Sequence, residues 1–199
     1  MQNSPKNWWL FGLVMMLAVA CAPKPKEGKM LAGEYYALNQ VIEAEIKSLT
    51  TANAGLYKQV ALDDKKEEML LLPSQLKWSN ELALFKDINL NKPAWQGYIK
   101  TETTPIANGE LVVYTAQKAD IPFRRVLMVF NTAKQLDSLA VDLETENEIT
   151  HTVRTLSAAW DNSEANHHLK KYSINGFQKV LLNDTLFYKV NGEVRFNVN

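Results

Sequence analysis

Apolar residues return along this chain with two different periods, and the change of period divides it. Over residues 34–50, Tyr35, Leu38, Val41, Ile42, Ile46 and Leu49 recur every three or four positions, which predicts an amphipathic helix with one stripe to bury. Glu34, Glu43, Glu45 and Lys47 are expected on its polar side. Residues 56–72 predict two short strands around Asp63-Asp64-Lys65-Lys66, with Pro73 stopping the second. Ser74 is then expected to N-cap a shorter helix running to Lys86, with Leu76, Leu82 and Phe85 turned inward.

From Trp95 onward the period is two. Strands are expected over residues 97–104, 110–117, 123–131, 136–145, 149–158, 169–174, 178–182, 186–190 and 193–197. The Asn-Gly dipeptides Asn108-Gly109, Asn175-Gly176 and Asn191-Gly192 predict hairpin turns, because both residues accept positive φ. Connections this short cannot carry parallel crossovers, so the sheet must be mainly antiparallel. Leu139, Val141 and Leu143 alternate with Ser138, Asp142 and Glu144, an inward row against an outward one. Val126, Leu127, Met128, Val129 and Phe130 follow one another without a break, as in a central strand covered on both faces. The fold class expected is α+β: a curved, half-barrel-like, mainly antiparallel sheet packed on an N-terminal amphipathic helix, with a second short helix, in one domain over residues 34–199.

Before the helix the pattern differs again. Residues 8–20 carry no charge and follow Lys6 and a free amino terminus. Thirteen helical residues reach roughly 20 Å at about 1.5 Å each, short of the ~30 Å hydrocarbon core, so an export signal fits better than a spanning helix. Ala18-Val19-Ala20 leads directly to Cys21, the sole cysteine in 199 residues. A lone thiol in an exported chain needs a reason, since such chains tend to pair their cysteines. The sequence through Cys21 resembles the lipobox of bacterial lipoproteins. That resemblance implies cleavage between Ala20 and Cys21, diacylglyceryl attachment to the thiol of Cys21, and acylation of the new amino terminus. Two or more chains, at about 0.8 kcal/mol per buried methylene, anchor firmly where one does not. Residues 1–20 are then a signal peptide, and residues 21–33, rich in Pro, Lys and Gly, an acylated tether. By the sorting rule of enterobacterial lipoproteins, Ala22 in place of an aspartate implies the outer membrane.

Composition narrows the function classes. Lys and Arg total 22 against 22 Asp and Glu, which gives no field for steering toward nucleic acid. With the one cysteine assigned to lipid, the candidate metal ligands are three histidines and carboxylates; His167 and His168 would point to opposite faces of a strand and are expected at the surface, and His151 in a strand as a hydrogen-bonded residue. Ser74-Gln75-Leu76-Lys77 fits Ser-x-x-Lys but lacks a Lys-Thr-Gly element, and the N-cap role explains Ser74. No phosphate-binding glycine cluster occurs. Asp63, Asp64, Glu67, Glu68, Asp142 and Glu144 are expected as solvated charge, and Trp78, Trp95 and Trp160 as core or strand-end anchors. No catalytic residue, cofactor or metal is therefore expected. The element order with its anchor resembles the lipoprotein carrier and acceptor proteins of the Gram-negative envelope, without a shared diagnostic motif. The expected function is a lipid-anchored envelope lipoprotein with a non-catalytic binding or structural role, its partners the membrane and an envelope protein. The alternative is a carrier of an acyl chain or lipoprotein in the groove between sheet and helix, and a glycan-acting hydrolase is the third class.

Overall fold

The computed structural model describes residues 35–161 and 167–198; the expected signal peptide over residues 1–20, the expected tether over 21–33, and with them Ala20 and Cys21, lie outside these. Helix α1 (Leu38–Thr51) buries Leu38, Ile42 and Leu49, the stripe its periodicity requires. Glu45, expected on the polar side, is buried with them. No helix among the described residues is long and apolar enough to cross a membrane.

Nine strands follow: β1 (Gly55–Leu62), β2 (Lys65–Leu71), β3 (Ile99–Ile106), β4 (Gly109–Ala116), β5 (Phe123–Asn131), β6 (Leu136–Glu146), β7 (Thr150–Trp160), β8 (Leu169–Val180) and β9 (Leu186–Arg195). They form one open sheet in the order β2-β1-β9-β8-β7-β6-β5-β4-β3, antiparallel throughout, as the α+β expectation required. Every neighbour but β1–β9 is consecutive in sequence. The edge strands are blunted against further pairing, β2 by Lys65, Lys66, Glu67 and Glu68, β3 by Pro105.

Three local expectations are corrected. Ser74 caps no long helix: residues 73–86 form a 3₁₀ turn (Pro73–Gln75) and two single-turn helices, α2 (Trp78–Glu81) and α3 (Ala83–Lys86). Gln75 Oε1 takes the Leu72 N–H at 3.1 Å, and Leu76 and Lys77 are extended, which breaks the run. A hairpin does join β3 to β4, but its two-residue loop is Ala107-Asn108; Gly109 opens β4 at φ +144°, opposite Ile106, with a Cβ excluded by Phe130 O. Asn175-Gly176 and Asn191-Gly192 do not turn; they lie within β8 and β9. Their glycines are required by close approach. A Cβ on Gly176 would stand 2.3 Å from Val153 O, and one on Gly192 2.2 Å from the Tyr172 ring.

Directly paired residues of an antiparallel sheet share a face, so the register sorts the side chains. One row runs Tyr114, Val126, Val141, Leu156, Ile174 and Val190; a second includes Val112, Met128, Leu139, Ala158 and Tyr172. These form one buried cluster with Leu38, Ile42 and Leu49 of α1, Trp78 of α2 and Phe85 of α3. Each aliphatic side chain so enclosed contributes about 1.5–3 kcal/mol. The helices therefore cover one face of the sheet, termed here the near face. The opposite rows, on the far face, have no helix over them among the described residues.

Candidate functional site

The far face holds a hollow of about 660 Å³. Leu111 pairs with Val129, and Leu127 with Ala140, so strands β4 and β5 give it an apolar end. The expectation that β5 is covered on both faces is thereby corrected: Leu127 and Val129 are half-buried and face the hollow, while Val126 and Met128 face the core. The floor is made of small side chains, Ser138 and Ala140 of β6, Ser157 and Ala159 of β7 and Ser173 of β8. Ala140, Ser157 and Ser173 stand directly opposite one another in register, so their short side chains leave the backbone open to whatever lies above. Toward β9 and β1 the wall becomes polar, with Lys171, Asn191, Glu193, Gln59 and Tyr57.

The polar end is internally braced. Tyr57 Oη donates to Glu68 Oε2 at 2.5 Å, and Gln59 Nε2 donates to Glu68 Oε1 at 2.9 Å. The hydrogen bond to Glu68 holds the Tyr57 phenol above its usual pKa, and the same bond, helped by Gln59, holds the Glu68 carboxyl below its own. Glu193 pairs with Arg195 at 2.8 Å. Lys171 sits between Ala159 and Glu193 in register, and its side chain makes no ion pair or hydrogen bond among the described residues.

The space between sheet and helices is different. There a hollow of about 150 Å³ is bordered by Leu84, Ile88, Trp95, Phe123 and Leu143. Two polar devices fasten the layers. Glu81 of α2 receives Lys58 Nζ at 2.8 and 3.0 Å and Tyr172 Oη at 2.8 Å; burial and the Glu81 charge hold the Tyr172 phenol well above its usual pKa. Buried Glu45 of α1 accepts Leu169 N–H at 2.8 Å and Trp160 Nε1–H at 3.3 Å, joining the helix to the ends of β7 and β8. Unfilled donors at that depth cost about 1–3 kcal/mol each, which is why a glutamate occupies a core position. Sequence periodicity gave no sign of it.

The residues weighed for chemistry are dispersed. His151 meets Glu144 at 3.0 Å and packs edge-on to Phe177. His167 and His168, expected at the surface, are half-buried: His167 bonds Leu136 O at 2.8 Å and stacks on Trp160, and His168 packs against Phe196. Glu144 also takes Arg124 at 3.0 Å, and Asp142 takes Arg125 at 3.1 Å. The Arg124 bond, with His151 second, holds the Glu144 carboxyl below its usual pKa. Trp78 and Trp160 are core residues, Trp78 Nε1 donating to Ala54 O at 3.1 Å, and Trp95 closes a 3₁₀ turn (Pro93–Trp95) at the core's margin. Among the described residues no three His, Cys, Asp or Glu side chains are placed to hold a metal ion. Of the residues named from sequence, Leu127, Val129 and Ser138 line the far-face hollow, and Glu68 stands behind it, holding the lining residues Tyr57 and Gln59. The floor of the hollow went unnoticed, although the uninterrupted apolar run of β5 beside the short outward residues of β6 and β7 was the available signal. Comparison of the chain with protein-family models, curated proteins and solved structures finds no match.

Proposed function

We propose that this protein is a lipid-anchored lipoprotein of a Gram-negative envelope, carried in the outer membrane by Cys21, whose domain binds a hydrophobic ligand without catalysis. The observation that carries the binding reading is the far-face hollow: about 660 Å³ with an apolar end at β4 and β5 and a floor of alanine and serine. Specific small-molecule sites fall in the range of roughly 300–1,000 Å³. A scaffold whose only task is structural gains from filling such a space, since uncovered Leu and Val side chains forgo about 25 cal/mol for each Å² left in water. The ligand class is an acyl chain, alone or as part of a lipoprotein. It lies on the far face, and not in the groove between sheet and helix, where α1, α2 and α3 leave little room.

Mass spectrometry of the protein extracted from membranes tests the reading. A stoichiometric co-purified lipid, lost when Ser157→Trp fills the floor, is the expected result; wild-type protein free of lipid that also fails to take up any added acyl chain contradicts it. For the anchor, labelled palmitate should enter the wild-type chain and not Cys21→Ala.

A further inference from the structure

We infer that the ligand of the far-face hollow is a single-chain amphiphile with an anionic head group, carboxylate or phosphate, and that Lys171 selects that head group. This rests on the reading of the hollow as an acyl-chain site and adds the chemistry and direction of the ligand.

The register gives the direction. Read across the strands, one far-face row runs Leu111, Val129, Ser138, Ala159, Lys171, Glu193. It passes from branched apolar to small to charged without interleaving. The adjacent row runs Leu127, Ala140, Ser157, Ser173, Asn191, Gln59 and repeats the order. A wholly apolar ligand would leave Asn191 and Gln59 beside hydrocarbon, and a wholly polar one would leave Leu127 and Val129 in water. An amphiphile laid across the strands satisfies both ends, with its tail over β4 and β5 and its head over β8 and β9.

The charge of the head follows from which groups are already engaged. Glu193 is neutralised by Arg195 at 2.8 Å. Glu68 is occupied by the Tyr57 hydroxyl and the Gln59 amide. Among the described residues Lys171 is the remaining charge on the wall with no ion pair or hydrogen bond, at the point where small side chains give way to polar ones. An exposed ammonium at the edge of a floor of small side chains suits an anion arriving on a hydrocarbon chain. A cationic head would meet Lys171 uncompensated.

The test is calorimetric titration of the full chain with palmitate, palmitic acid methyl ester and hexadecyl phosphate, repeated for Lys171→Met and Lys171→Arg. The expected result is a preference of about fivefold for an anionic ligand over the ester, at the upper end for a partly exposed ion pair. The preference disappears in Lys171→Met through loss of anion affinity alone and persists in Lys171→Arg; whichever of carboxylate and phosphate binds tighter identifies the head. Equal affinity of wild-type protein for acid, phosphate and ester overturns the inference, and so does a preference that survives Lys171→Met, while the acyl-chain reading stands. If none of the three ligands binds, the acyl-chain reading falls first and the head-group assignment with it.

Discussion

The two faces of the sheet are built from the same strands, residue by residue in alternation, yet they do opposite things. On the near face, Val126, Val141 and Leu156 are fully enclosed and meet the side chains of α1, α2 and α3. On the far face, the residues between them, Leu127, Ala140 and Ser157, are half-buried around a hollow. The near face uses its size variation to fill space, even removing the Cβ at Gly192 so that Tyr172 can lie flat toward Glu81. The far face uses small residues to leave space. A period of two fixes which residues belong to which face, but their sizes decide whether the face becomes core or site.

The sharpest way to break that comparison is to truncate one leucine on each face. Leu156→Ala removes a fully enclosed side chain from the centre of the near face and should cost about 3 kcal/mol in urea unfolding. Leu127→Ala, on the far side, should cost about 1 kcal/mol or less while weakening ligand uptake. Equal losses would mean that both faces are core. Next in size, Glu45→Ala leaves the Leu169 and Trp160 N–H groups without their acceptor and should cost about 2 kcal/mol, whereas Glu68→Ala on the exposed far-face rim should be nearly neutral.

A pH titration separates the faces by a third route. Burial, with Tyr114 beside it, pushes the Tyr36 phenol up to about 12, so the folded protein holds that proton after the unfolded chain has released it near pH 10. The contribution of Tyr36 to stability is therefore complete below pH 10 and is lost as pH rises from 10 toward 12. Tyr36→Phe should flatten the alkaline fall in unfolding midpoint, and a curve of unchanged slope would contradict the burial of this ring against Phe130. The smallest effect is expected at the exposed Leu182, whose φ of +65° suits glycine: Leu182→Gly should raise stability by about 0.5 kcal/mol.

How far the sequence could be read follows the same division. The α1 stripe, the β1–β2 hairpin and the alternation in β6 are local patterns set by a single period, and they appear in the structure as expected. Asn175-Gly176 and Asn191-Gly192 misled because glycine serves two purposes, positive φ and close approach, and only the neighbouring strand distinguishes them. Glu45 misled because its partners, Trp160 and the Leu169 amide, lie more than a hundred residues away. The hollow lay beyond local reading for the same reason. Ala140, Ser157 and Ser173 become a floor only once the register of three strands sets them side by side.

The central claim is that the far face is left open for an acyl chain. It is tested most directly by fluorescence titration of a labelled fatty acid into the wild-type protein and into Ser157→Trp, with urea unfolding measured on both. The account predicts saturable uptake by the wild type, loss of uptake by the variant, and unfolding midpoints that agree. Uptake undiminished in Ser157→Trp at unchanged stability would place the ligand elsewhere and contradict it.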